Sequence, residues 1–186
     1  MNRILFLLTS LTLYLGADDY YNKTGKYHGW KYIVIHHSAT SAGSAKSFHD
    51  YHTKQGWGGL AYHFVIGNGK GDADGEIQQG FRWKEQITGT HCSVNSWEYN
   101  IHGIGICMVG DLSKTNLSAK QKSSLERLTA GLAYSNNISV ENIIRHDQVT
   151  FDDGSGKTET TACPGKFDIK TFRKKISVLV NNNFNN

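Results

Sequence analysis

A short apolar run that ends in two histidines sets the first condition on the fold of this chain. Residues 32–35 read Tyr-Ile-Val-Ile, and His36 and His37 follow directly. A continuous run rich in β-branched residues is typical of a central strand that is buried on both faces. We therefore expect a sheet covered on both sides, with these histidines at the carboxyl end of an inner strand.

Other segments alternate between strand and helix patterns along the chain. Three of them have the apolar pattern of short strands: residues 61–66, 103–109 and 142–146. Three others carry an apolar stripe at helical spacing: residues 44–55, 118–136 and 169–180. Because strands and helices that alternate pack as layers, the pattern predicts an α/β fold: a single domain with a central mixed β-sheet flanked by helices.

The composition supports one globular domain of ordinary size. The 186 residues are 38% hydrophobic and 19% charged, which excludes a disordered or collagen-like chain. Three cysteines are too few for a disulfide-built scaffold, and whether Cys92 and Cys107 pair is left open, with unpaired thiols the expectation. The formal net charge of +4 is too small to argue for a nucleic-acid partner, and none is expected.

The first residues have the pattern of a secretory signal peptide. Arg3 precedes an uncharged apolar run at 4–16, which is short for a bilayer span of about 20 residues. We therefore expect a signal peptide at 1–17, no stable membrane span, and a secreted, periplasmic or extracellular protein. The predicted organisation continues with a lead-in at 18–29, one domain at 30–180 and a flexible tail at 181–186.

Three residues carry side chains that commonly bind metals and stand where a fold could bring them together. His36 and His146 each end a short apolar run, and Cys163 lies in the turn sequence TTACPG at 160–165. A catalytic zinc site uses three such protein ligands and leaves the fourth position for water. Their separations match no local zinc-finger pattern, so spacing alone leaves the metal site open.

Five segments follow one another in a characteristic order. They are YIVIHHSAT at 32–40, QGWGGLAYHFVI at 55–66, GIGICMVG at 103–110, RHD at 145–147 and TTACPG at 160–165. Together they resemble the zinc-dependent N-acetylmuramoyl-L-alanine amidase family, which includes phage amidase-type lysozymes, bacterial type 2 amidases and animal peptidoglycan recognition proteins. The resemblance covers about residues 30 to 176. It implies a secreted amidase that cleaves the bond between N-acetylmuramic acid and L-alanine in peptidoglycan.

The resemblance also implies roles for individual residues. It predicts that His36, His146 and Cys163 bind one zinc ion per chain, and that Tyr62 hydrogen-bonds to the reacting carbonyl or its oxyanion. Zinc supplies Lewis-acid catalysis and water activation, and a Tyr hydroxyl stabilises developing negative charge. Thr161 stands where phage enzymes have Lys and recognition-protein amidases often have Thr. We expect its hydroxyl to orient or polarise the reacting groups through a hydrogen bond, and not to act as a cation.

The chain departs from the family pattern at two places. Cys107 stands where some bacterial members have a Glu, so the proton carrier is left open. His37, His63 and His91 are the candidates near the site, predicted to contact substrate. The stretch FDDGSGKTET at 151–160 makes the segment between the second histidine and the cysteine about twice as long as in typical members of the family. We expect it to be a surface loop that borders the groove.

Two other functions stay open at the level of the sequence. One is a non-catalytic peptidoglycan-binding protein of the recognition type, and the other is a different zinc hydrolase that acts on peptides. Cys163 favours the amidase, because a protein that only binds can dispense with a thiolate ligand. Peptidoglycan and muropeptides are the expected partners of what we expect to be a monomer.

Overall fold

The computed structural model describes residues 29–184. The predicted signal peptide at 1–17 and the lead-in up to residue 28 lie outside the described residues. No helix within 29–184 is long and apolar enough to cross a membrane.

A five-stranded sheet forms the centre of the domain. Its strands are β1 (Tyr32–His37), β2 (Phe64–Ile66), β3 (Ile77–Gln79), β4 (Gly103–Met108) and β5 (Ile143–Arg145). They lie in the order β3-β2-β4-β1-β5, where β1 pairs in parallel with β4 and β5, and β2 pairs in parallel with β4. Only the pair of β2 with β3 is antiparallel. The predicted mixed sheet is therefore confirmed, and β1 is an inner strand with a parallel neighbour on each side.

Within residues 29–184, five α-helices flank this sheet: α1 (Ala45–Lys54), α2 (Phe81–Lys84), α3 (Trp97–His102), α4 (Ala119–Ser135) and α5 (Ile169–Phe184). Two 3₁₀ turns, Val140–Asn142 and His146–Gln148, flank β5. Ser118 and Gln121 form a capping box at the start of α4.

The two faces of the sheet have different surroundings because successive side chains of a strand point to opposite sides. Ile33 and Ile35 of β1 join the large core, where they pack with buried residues of α4 and α5. His36 points to the other face, beside its register partner Cys107 of β4. Cys107 packs there in a smaller apolar cluster that includes Phe48 of α1. One face thus packs against the main core, and the other face carries the polar side chain of His36.

Two predicted boundaries differ from the structure by more than two residues. The strand predicted at 61–66 begins only at Phe64, because the Ala61 amide donates to His52 Nδ1 and its carbonyl accepts from the Thr90 amide. The last helix runs to Phe184, four residues beyond the predicted end at Val180. Packing of Leu179 and Val180 against the core extends the helix into the predicted tail, because each added residue of a formed helix gains a backbone hydrogen bond.

Candidate active site

His36 is held at the carboxyl end of β1 by a chain of hydrogen bonds. The residue is 1% exposed, and its Nε2 lies 3.1 Å from His91 Nδ1. His91 Nε2 lies 3.1 Å from the Gly103 carbonyl oxygen, which can only accept, so His91 carries its proton on Nε2. His91 Nδ1 is then an acceptor, and His36 donates through Nε2. This leaves the lone pair of His36 Nδ1 available, 3.8 Å from Cys163 Sγ.

His146 reaches the same place from the neighbouring strand. It follows β5 directly, and β5 is parallel to β1, so both strands end at one edge of the sheet. The centres of the His146 and His36 rings are 4.3 Å apart. His146 Nε2 donates to Glu159 Oε2 over 2.9 Å, whereas His146 Nδ1 is buried and has no hydrogen-bond partner among the described residues.

Cys163 lies in a turn that residues of the RHD segment tie down. The Asp147 amide donates to the Cys163 carbonyl over 3.0 Å, and Arg145 Nη2 donates to the Gly165 carbonyl over 3.0 Å. The thiol sulfur accepts from the His37 amide over 3.2 Å. Burial raises the pKa of Cys163 to about 12, so a metal that binds this sulfur would displace its proton.

The donor set of His36, His146 and Cys163 fits zinc. Their ligand atoms lie within 4.8 Å of one another, and two imidazole nitrogens with one thiolate sulfur are donors that zinc prefers. Burial and the neighbouring His146 hold the pKa of His36 well below its usual value, which keeps the ring in the neutral form that a metal needs. The unpartnered His146 Nδ1 is the atom that a bound metal would satisfy.

Two further groups of possible ligands overlap with this set in residues 29–184. Each includes Cys92, which joins His36 and His91 in one group and His146 and Glu159 in the other. Within these groups, His36 is already hydrogen-bonded to His91, and His146 to Glu159. The first set therefore offers the better metal site, because it uses the nitrogens that those hydrogen bonds leave available.

Tyr62 and Thr161 lie beside the predicted ligands. The Tyr62 ring centre is 5.2 Å from that of His36. Burial and the neighbouring thiols of Cys107 and Cys163 raise the pKa of Tyr62 well above its usual value, so its hydroxyl remains a hydrogen-bond donor at neutral pH. Thr161 Oγ1 accepts from the Cys163 amide over 3.1 Å, which fixes the turn that presents the thiol.

The three histidines predicted to contact substrate are buried and bonded to protein groups. His37 faces away from His36 and accepts from the Leu112 amide through Nδ1 over 2.9 Å. His63 donates to the Ile87 carbonyl and accepts from the Gly105 amide. His91 bridges His36 and Gly103, as described above. In His63 and His91 these bonds use both ring nitrogens, so the two rings support the position of His36 and β4, and contact of any of the three histidines with substrate stays a prediction.

Glu159 is a candidate site residue that no pattern in the sequence indicates. It lies in the stretch 151–160, which was expected only to border the groove, and no periodicity or spacing in the sequence connects it with His146. Burial alone would raise the pKa of Glu159, but hydrogen bonds from the His146 ring and the Ser93 amide hold the pKa below its usual value. The group is therefore a carboxylate that accepts from both.

The cysteines are free thiols. Cys92, Cys107 and Cys163 all lie within the described residues, and no disulfide joins them. The expectation that Cys92 and Cys107 stay unpaired is therefore confirmed.

Comparisons with known proteins agree with this geometry. The chain is 27% identical over 155 residues to the endolysin of Escherichia phage T7, across 79% of this chain and 87% of that protein. Its fold is similar to that of the N-acetylmuramoyl-L-alanine amidase LysC from Clostridium intestinale, with a TM-score of 0.65, 26% identity, and coverage of 80% and 86% of the two chains.

A recognition protein has a similar fold as well. Peptidoglycan recognition protein-LE, solved in complex with tracheal cytotoxin, gives a TM-score of 0.60 at 25% identity, across 81% of this chain and 82% of that one.

The family model for N-acetylmuramoyl-L-alanine amidase matches residues 26–166, which is most of the chain. The match includes every residue that we place in the site, and it confirms the prediction of an amidase. The chain therefore belongs to the N-acetylmuramoyl-L-alanine amidase family.

Proposed function

We propose that this protein is a secreted, zinc-dependent hydrolase that cleaves the amide bond between N-acetylmuramic acid and L-alanine in peptidoglycan. One observation carries the zinc assignment. His36, His146 and Cys163 bring their ligand atoms within 4.8 Å of one another, and His146 Nδ1 is buried without a partner among the described residues. The apolar run at 4–16 supports secretion.

The relatives support peptidoglycan as the substrate. LysC is named an N-acetylmuramoyl-L-alanine amidase, and the similar protein of phage T7 is an endolysin. The recognition protein holds a monomeric peptidoglycan of the diaminopimelic acid type. We propose a muropeptide as the ligand of this chain on these grounds.

Different residues of the chain have different roles in catalysis. His36, His146 and Cys163 would hold the zinc ion, which when bound supplies Lewis-acid polarisation of the amide carbonyl and activation of water. Tyr62 keeps its hydroxyl proton and donates a hydrogen bond to the carbonyl oxygen as negative charge develops there. Thr161 holds the Cys163 turn through its hydroxyl oxygen.

Mass spectrometry of the products from a defined muropeptide tests the bond and the substrate together. We expect the zinc-loaded protein to release an intact stem peptide that begins with L-alanine, and to stop after chelation. Tyr62→Phe removes one donor to the developing oxyanion, and we expect it to lower kcat by about 10²- to 10³-fold while zinc content is unchanged. A zinc-loaded wild-type protein that releases no stem peptide would overturn the amidase proposal.

A non-catalytic recognition protein is the second candidate, because peptidoglycan recognition protein-LE has a similar fold. Cys163→Ala distinguishes the two functions when wall binding and amide cleavage are both measured. The amidase proposal predicts that binding persists while cleavage is lost. A wild-type protein that loads zinc and binds muropeptides without cleaving them would support the recognition protein.

A further inference from the structure

The stretch 151–160 is tied to the domain at both ends. Asp152 Oδ2 accepts from the backbone amides of Trp97 and Glu98 at the start of α3, over 2.5 and 3.3 Å. At the other end, the Glu159 amide donates to the Val149 carbonyl over 2.9 Å. Thr150 and Thr158 pair as an antiparallel bridge that closes the stretch on itself. These bonds hold Glu159 in a fixed place although its loop is polar and rich in glycine.

The Glu159 carboxylate uses both of its oxygens in hydrogen bonds. Oε1 accepts from the Ser93 amide over 2.7 Å, and Oε2 accepts from His146 Nε2 over 2.9 Å. The side chain of Glu159 is 9% exposed and that of His146 is 15% exposed, so water competes little for this contact. The Ser93 bond fixes the direction in which the carboxylate faces His146.

This contact decides which nitrogen of His146 can bind a metal. A carboxylate only accepts hydrogen bonds, so His146 carries its proton on Nε2 and keeps a lone pair on Nδ1. Nδ1 is the atom that is buried without a partner among the described residues. The nitrogen that keeps its lone pair, Nδ1, is therefore the same nitrogen that has no partner.

We propose that Glu159 is a positioning residue that fixes the tautomer and orientation of the zinc ligand His146 and increases the ligand's basicity. The proposal rests on the proposed zinc function of the site. A carboxylate behind a metal-bound imidazole has these effects in general, and its removal typically weakens metal affinity by about 10- to 100-fold. His36 instead donates its hydrogen bond to the His91 ring. One proposed histidine ligand is thus bonded to an imidazole and the other to a carboxylate.

Zinc affinity, measured by competition with a chromophoric chelator and without substrate, tests the proposal. We expect Glu159→Ala to weaken zinc binding by about 10- to 100-fold, and Glu159→Gln, which keeps an acceptor oxygen but loses the charge, to weaken it less. The d–d spectrum of the cobalt-substituted protein should change in Glu159→Ala, because the orientation of one ligand is no longer fixed.

Asp152→Asn is the matched control, because it removes a negative charge from the same stretch while the amide oxygen of Asn can still accept from the Trp97 and Glu98 amides and keep the stretch anchored. We expect this variant to bind zinc like the wild type. The proposal is overturned if Glu159→Ala binds zinc as tightly as the wild type, or if Asp152→Asn loses as much affinity as Glu159→Ala. In the second case the loop as a whole, and not the carboxylate, supports the metal.

Zinc binding and muropeptide cleavage by the wild-type protein show whether this proposal or the proposed function has failed. A wild-type protein that binds no zinc would overturn both. A wild-type protein that binds zinc but cleaves no muropeptide would overturn only the amidase, because the affinity ratio between the variants is read without substrate.

Discussion

The two halves of the site are built from different kinds of structure. The sheet side consists of His36, His63, His91, Gly103 and Gly105, where imidazoles bond to one another and to the backbone of β4. The loop side consists of His146, Glu159, Thr161 and Cys163, which turns and a charged side chain hold in place. The sheet side depends on strand register and close packing, whereas the loop side depends on a few individual hydrogen bonds.

Loss of a ligand on either side gives the largest expected effect. We expect His36→Ala and His146→Ala each to lose zinc and to lower the cleavage rate by at least about 10³-fold, since the metal supplies several kcal/mol of transition-state stabilisation. The sides should differ in the metal-free protein. His36→Ala leaves a cavity in a fully packed region, so denaturant unfolding under chelation should show the larger loss of stability for His36→Ala. Equal losses would contradict the distinction between the two sides.

A methyl group on Gly105 tests the packing of the sheet side. A Cβ at this position would overlap with the His91 ring, so we expect Gly105→Ala to lower the free energy of unfolding by about 1–3 kcal/mol and to weaken zinc binding through displacement of His91. Gly131→Ala in α4 is the control, because a Cβ there meets nothing within 4 Å. It should stabilise the protein by about 0.5–1 kcal/mol. Thermal unfolding of both variants measures these two changes in stability.

Low pH should lower the free energy of unfolding through protonation of His63 on the sheet side. Burial lowers the pKa of His63 to about 3 from an ordinary value of 6.5. Between these values the unfolded chain binds a proton that the folded protein does not, so stability falls as pH falls, by up to about 1.4 kcal/mol per pH unit for this group. Denaturant unfolding between pH 6 and 4 should give a shallower pH dependence for His63→Gln. Identical slopes for variant and wild type would show that His63 is not held neutral.

Loss of a single hydrogen bond on the loop side gives a small expected effect. Thr161→Val removes the oxygen that accepts from the Cys163 amide, and we expect a loss of about 1 kcal/mol in the free energy of unfolding. Thr161→Ser keeps the acceptor and should lose less. Hydrogen exchange at the Cys163 amide provides a local measurement, because the bond to Thr161 protects that amide. Unchanged exchange in Thr161→Val would exclude this role.

The sequence predicted residues on both sides of the site and left others on both sides undetected. Period-2 alternation in β1 puts His36 and His37 on opposite faces, and parallel strands bring His36 and His146 to one edge of the sheet. The family resemblance pointed to Cys163. Glu159 could not be found this way, because its contact with His146 depends on how a polar, glycine-rich loop folds back on the domain. The hydrogen bonds of His63 and His91 could not be predicted either, because their partners are distant in sequence.

The sequence by itself determined the layered α/β fold and the inner strand β1, because periodic burial is a local property of a chain, and its ordered motifs predicted three metal ligands through the family resemblance. Only the tertiary structure decided which ring nitrogen each histidine presents. That choice follows from the acceptor behind each ring, the His91–Gly103 chain for His36 and the Glu159 carboxylate for His146. A proton's place on an imidazole depends on partners that only folding brings within about 3 Å.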